Sequence, residues 1–180
     1  GYYLDVNTTP FISVDGNITG ARVYSDARGY YTVGEEQRLT FAARGQIGSL
    51  VGASLTEAPA DFLFYSGGGG TVRGQPYQSL GIDQFDGTDT VTTGGTSFVG
   101  AQLEARYLIR DNIAVVGFYD FGHVGDTSTP GDSGDWHAGA GFGLRYETGI
   151  GPIRLDLGTQ ASGDDAGSDL QVYIGIGQAF

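Results

Sequence analysis

Two places in the chain hold residues whose types could do chemistry. The first is a histidine–aspartate–serine neighbourhood. His123 and His137 lie close in sequence to Asp120, Asp126, Asp132 and Asp135, with Ser128 and Ser133 between them. Such a set could be read as a nucleophilic triad or a metal site. Its spacing matches neither, and aspartates crowded into one connection are ordinarily just solvated. Trp136, next to His137, reads more simply as an aromatic at a membrane interface. The second place is Gly67-Gly68-Gly69-Gly70-Thr71-Val72-Arg73-Gly74. A glycine run beside a cation suggests a phosphate cradle. However, the lysine of a P-loop is missing, and no strand–loop–helix context surrounds the run. It reads better as a flexible hinge that carries one arginine to an internal partner. The expectation is a protein without catalysis, metal or cofactor.

Composition narrows the classes further. The 180 residues suit one domain, residues 1–180. Lysine is absent, so all nine basic residues are arginine; 21 acids oppose them and the formal charge is −12. Such a chain is a poor nucleic-acid binder. Without cysteine there is no disulfide frame and no thiol chemistry. No apolar run approaches the ~20 residues of a membrane helix. No secretory leader opens the chain, which reads as a mature or excised segment. Apolar residues are 39% of the total. That average is compatible with a membrane β-barrel, which places its apolar residues at every second position.

The elements that would carry these residues are strands. Eight stretches alternate with period two, near 2–8, 18–31, 36–52, 96–109, 112–123, 136–148, 151–160 and 169–180. In the fourth, Val99, Ala101, Leu103, Ala105 and Tyr107 oppose Gln102, Glu104 and Arg106. In the last, Leu170, Val172, Ile174, Ile176 and Phe180 oppose Gln171, Tyr173, Gly175 and Gly177. Seven arginines (22, 28, 38, 44, 106, 145 and 154) and six acids (Asp5, Asp26, Glu104, Asp120, Glu147 and Asp156) fall on the polar faces. A one-residue slip would turn each set to the other side. Glycines 100, 122, 139, 141, 143, 158, 175 and 177 share that inner face, where they could leave room for a loop or let the sheet bend.

The connections alternate between short turns (near 32–35, 109–112 and 149–150) and long loops (near 9–17, 53–95, 124–135 and 161–168). Outer-membrane barrels show this pattern, and the remaining acids should form an acidic outer rim. The expected fold is all-β: an antiparallel transmembrane β-barrel of eight strands, with one long loop at 53–95 between strands three and four. Lipid does not tolerate open sheet edges. Strand one is therefore expected to pair with strand eight. The alternative is half of a 16-stranded barrel completed by a second copy.

Four motifs, in order, resemble the BamA/TamA superfamily of outer-membrane assembly and translocation barrels. Residues 67–74 resemble its Val-Arg-Gly-aromatic loop. Phe118-Tyr119-Asp120-Phe121-Gly122 resembles its Phe-x-Asp-x-Gly strand. Gly151-Pro152-Ile153-Arg154-Leu155-Asp156 resembles its penultimate strand, and residues 173–180 resemble its last strand and terminal targeting signal. The loop and end sequences look closest to TamA. The resemblance covers essentially the whole chain and implies the C-terminal half of a 16-stranded barrel, without POTRA domains or the first eight strands. It implies that the loop motif Val72, Arg73, Gly74 and Gln75 folds into the lumen, with Arg73 paired to Asp120 and Glu104. Gln75 stands where the family has an aromatic, with Tyr77 as its substitute. Tyr173, Gly175, Ile176 and Phe180 would form the targeting signal. The function implied is insertion or translocation of outer-membrane proteins in the bacterial outer membrane, without chemistry. Lipid, client proteins and a periplasm-spanning partner would be its partners. A passive small barrel or pore is the alternative.

Overall fold

In the computed structural model, residues 1–14, 16–85, 87–163 and 166–180 are described. Asp15, Asp86, Asp164 and Asp165, four of the acids assigned to the outer rim, lie outside them. Among the described residues ten strands form in chain order: β1 (Tyr2–Ile12), β2 (Thr19–Val33), β3 (Leu39–Val51), β4 (Ile82–Phe85), β5 (Thr90–Thr93), β6 (Ser97–Arg110), β7 (Ile113–Gly125), β8 (Trp136–Thr148), β9 (Gly151–Gln160) and β10 (Leu170–Ile176). Eight of them make one antiparallel sheet in the order β1-β2-β3-β6-β7-β8-β9-β10. Every neighbour in this sheet is also the next wall strand in sequence, as in a barrel meander.

The pleat sorts the side chains, but inside out relative to a water-soluble domain. Phe41, Ile47, Leu103, Tyr119, Phe142, Leu144, Leu155 and Ile174 are exposed. Asp26, Gln46, Gln102, Glu104, Asp120, Arg145 and Asp156 are buried. Burial of charge on one face and exposure of leucine on the other suits a wall with lipid outside. No helix among the described residues is long and apolar enough to cross a membrane.

Several details differ from the sequence reading. Arg38 precedes β3 and pairs with Glu36 in an exposed turn. The first long connection shrinks to 13–18, because β1 runs on to Ile12. The span 53–95 is not structureless: β4 and β5 form a hairpin within it, and isolated bridges join Phe64 to Gly95 and Ser66 to Leu80. β10 ends at Ile176 rather than running to the terminus. Gly177 takes φ +100°, a left-handed conformation that glycine adopts freely, and turns the chain out of the strand. Phe180 is consequently buried, not outward-facing. Its ring stacks on Tyr30 at 6.4 Å, beneath the Arg106 guanidinium. Finally, β1 and β10 stand at the two edges of the sheet, with no backbone pairing between them among the described residues. The expected closure of strand one on strand eight is not seen.

The base of the long connection rests on an apolar cluster. Phe64 stacks on Phe98 (ring centroids 6.2 Å apart) beside Leu50 and Val124, with Phe11, Tyr24, Phe62 and Ile82 packed around them. Arg22 lies over the Phe64 ring and donates from Nε to the Phe62 carbonyl. These contacts aim the next segment, 66–80, down the inner face of the wall.

Candidate functional site: an arginine seated on three wall carboxylates

Within that segment the chain makes a tight turn. The Gly68 amide donates to the carbonyls of Val72 and Gln75, and the Gln75 amide donates back to Val72. Val72, Arg73, Gly74 and Gln75 are all buried; Val72 and Arg73 have no exposed surface. Gly74 has φ +96° and lies so close to the Thr159 carbonyl that a Cβ would overlap it. A backbone in that conformation and place needs glycine.

The tip is delivered to a charged patch built by β6, β7, β8 and β9. Arg73 donates from Nε and Nη2 to the two oxygens of Asp120, at 2.7 and 2.8 Å, and its backbone amide donates to the same carboxylate at 3.0 Å. Arg73 Nη1 reaches Glu104 at 2.5 Å and Asp156 at 3.4 Å. The guanidinium lies over the Phe118 ring, 3.7 Å from its centroid. This two-pronged grip uses the planar fork of arginine, which lysine lacks.

Charge balance explains why the tip belongs there. Glu104, Asp120 and Asp156 are three negative charges with no solvent exposure of their side chains. Two wall arginines bond them among the described residues: Arg106 bonds Glu104 at 2.7 Å, and Arg145 bonds Asp156 at 2.5 Å and Glu104 at 3.5 Å. Arg154 lies near enough to Asp156 and Glu104 to attract them without a direct bond. Asp120 receives no wall arginine; Gln102 reaches it at 3.4 Å. Arg73 supplies a positive charge at the one of the three carboxylates that no wall arginine bonds among the described residues. A second, smaller network continues sideways. Arg44 bonds Asp26, the Gln102 side chain and the carbonyl of Gly70, and Arg28 also bonds Asp26.

Glycines shape the seat. A Cβ on Gly139 would overlap the Arg73 carbonyl, and one on Gly122 would sit 2.8 Å from Val72. One on Gly158 would meet the Gly74 amide at 3.0 Å. Not every inner glycine serves the loop. Gly143 makes room for the Asp156–Arg145 pair, Gly175 for the Arg154 side chain and Gly100 for the Phe98 ring. Gly177 faces open space.

Sequence reasoning overlooked two members of the site. Asp156 was placed on the polar face without a role, and nothing in the sequence singles it out from other inner acids. Tyr173 enters the sequence reading as part of the last strand and of the targeting signal, with no link to the loop. Its hydroxyl accepts from the Gly74 amide at 3.0 Å and donates to the Gln75 carbonyl at 3.1 Å. Tyr77, the expected substitute for the loop aromatic, is 80% exposed and lies beside Gly68 at the base of the turn; Phe118 and Tyr173 are the aromatics that contact Arg73 and Gly74.

The histidine neighbourhood comes together only in part, and Asp120 lies apart from it, bonded to Arg73. His123 is buried against Trp136, with ring centroids 4.9 Å apart. His137 lies beside Asp135 in a polar recess that also includes Asp83, Asp126 and Ser133. Ser133 accepts from the Asp126 and Thr127 amides, and the Ser128 carbonyl accepts from Ser49. These serines are engaged in holding the 126–135 loop. No cluster of three or more metal-ligating side chains occurs among the described residues.

A sheet with lipid-compatible residues outside, buried ion pairs inside and a loop folded onto its inner surface defines the wall of a transmembrane β-barrel. The chain matches the Omp85 superfamily domain over residues 1–180, and it belongs to that superfamily. Its fold is similar to a crystal structure of BamA from Haemophilus ducreyi lacking POTRA domains 1–3. The TM-score is 0.76 at 22% identity, over 98% of this chain and 37% of that one. At that identity the likeness is one of fold, and the chain spans little more than a third of the length it is compared with.

Proposed function

We propose that residues 1–180 form the loop-bearing part of the barrel of a TamA-type assembly factor, as a single domain in the bacterial outer membrane. It acts in insertion or translocation of outer-membrane proteins without covalent chemistry. The observation that carries this reading is the seat of Arg73. A passive barrel needs no loop whose only cation is sunk among three wall carboxylates. An assembly factor benefits from a latch that holds part of its wall in a defined shape and can be released. Lipid, client proteins and a periplasm-spanning partner are the partners that go with this role.

The edges support the same reading. Strand edges in lipid leave amide and carbonyl groups without partners, at several kcal/mol each. β1 and β10 are proposed to pair with further strands of a larger wall, along a seam that clients use. Tyr173, Gly175, Ile176 and Phe180 are proposed as the terminal targeting signal, although only the first three lie in β10 itself.

The test is client insertion into liposomes by the full barrel protein. Arg73→Ala is expected to slow insertion at least tenfold while the protein remains membrane-embedded. Unchanged insertion with a released loop would remove the latch from the mechanism. Steady single-channel currents with no insertion activity would replace it with a pore.

A further inference from the structure

The loop tip is held at two points, and only the first is the carboxylate seat. The second is the Tyr173 hydroxyl, which bonds the amide of Gly74 and the carbonyl of Gln75, one residue apart on the far side of Arg73. Its ring also lies beside Gly69, where a Cβ would come within 3.2 Å of it. Tyr173 thus touches both limbs of the turn. It belongs to β10, the shortest wall strand and an edge strand, whose backbone is paired on one side only. Its partner in the register with β9 is Asp156, itself a ligand of Arg73 and Arg145.

We infer that Tyr173 is a positioning residue that couples the edge strand β10 to the loop latch, so that loosening of the edge and withdrawal of the tip occur together. The inference rests on the latch reading above and adds to it the element the latch controls. The physical reason is economy of contacts. Seven residues paired to a single neighbour form the least supported strand of the wall. Among its side chains Tyr173 is the one bonded to the loop tip. When the hydroxyl lets go, Gly74 loses its acceptor in a buried place, and β10 loses its tie to the interior. Such a tie would let the state of the seam be sensed at the lumenal loop, and the reverse.

The test compares wild type, Tyr173→Phe, Arg73→Lys and the double variant of the full barrel protein in lipid nanodiscs. Amide hydrogen exchange is followed in segments 66–76 and 170–176, with β6–β7 as an internal control. Tyr173→Phe keeps the ring and removes the hydroxyl. It is expected to raise exchange at Gly74 about five- to tenfold, the worth of one hydrogen bond, and to raise exchange in β10 with it. Arg73→Lys is expected to loosen the tip and β10 together. In the double variant, Arg73→Lys should loosen the loop further but add nothing in β10. The coupling is overturned if Tyr173→Phe frees β10 while Gly74 stays protected, or if Arg73→Lys frees the loop while β10 keeps its wild-type exchange. If Tyr173→Phe does not fold, the Arg73→Lys arm decides. If Arg73→Lys leaves the loop fully protected, the latch reading fails on its own, and Tyr173→Phe still decides the coupling.

Discussion

Arg73 is a buried cation whose replacement leaves buried anions behind. Its three partners lie on β6, β7 and β9, and Asp120 has no other arginine within bonding distance among the described residues. Removing one partner of such a group is strongly destabilising, because the remaining charge cannot recover its water. Arg73→Ala is therefore expected to cost about 3–5 kcal/mol in reversible unfolding in bilayers. Adding Asp120→Asn should restore part of that loss, since the amide is less costly to leave in place than the carboxylate. If the double variant is no more stable than Arg73→Ala, then Asp120 is not the principal partner. Lysine would keep the charge but not the two parallel bonds. For that reason it is the gentler probe in exchange experiments.

At the scale of the element, the latch depends on backbone space more than on attraction. β7, β8 and β9 each offer a glycine where the tip lies against the wall: Gly122, Gly139 and Gly158. Gly139→Val is expected to push the tip off its seat, since its Cβ would occupy the position of the Arg73 carbonyl. Trypsin should then cleave after Arg73, whose side chain is fully buried in the wild-type protein. Gly117→Ala, on the outer face with nothing within 4 Å of an added Cβ, should leave the pattern unchanged. The last strand has an analogous dependence on its end. Phe180 fills the space between Tyr30 and Arg106. Deleting it should slow acquisition of the heat-modifiable, folded band on gels. No change in folding rate would mean that the terminal aromatic acts neither as a signal nor as a packing element.

At the scale of the whole molecule, the sorting of residues is that of a wall between oil and a charged interior. Leu103 lies mid-strand in β6, 48% exposed, while its neighbours Gln102 and Glu104 are buried. Leu103→Arg should cost ~2–4 kcal/mol near the bilayer centre, measured by unfolding in bilayers. The same substitution on a water-facing surface would be nearly neutral. Stability unaffected by Leu103→Arg would contradict a lipid-facing outer side.

The sequence by itself determined which residues face which side. Side-chain alternation is a local property of the pleat, so Glu104, Asp120, Arg145 and Asp156 could be placed on one face from period alone. It also marked the loop carrying Arg73 and the approximate strand limits. The motif resemblance implies the pairing of Arg73 with Asp120 and Glu104, but strand periodicity alone does not, and the remaining partnerships come only from the tertiary structure. Arg73 meets Asp120 across 47 positions of sequence and Asp156 across 83. Such pairings depend on strand register, sheet curvature and the depth to which the loop descends, none of which is written in any local stretch. Phe180 turns inward because one glycine leaves the extended conformation. Tyr173 meets the loop because β10 ends up beside it. The unpaired edges of β1 and β10 are likewise a property of the assembled sheet, since pairing is settled between strands and not within one.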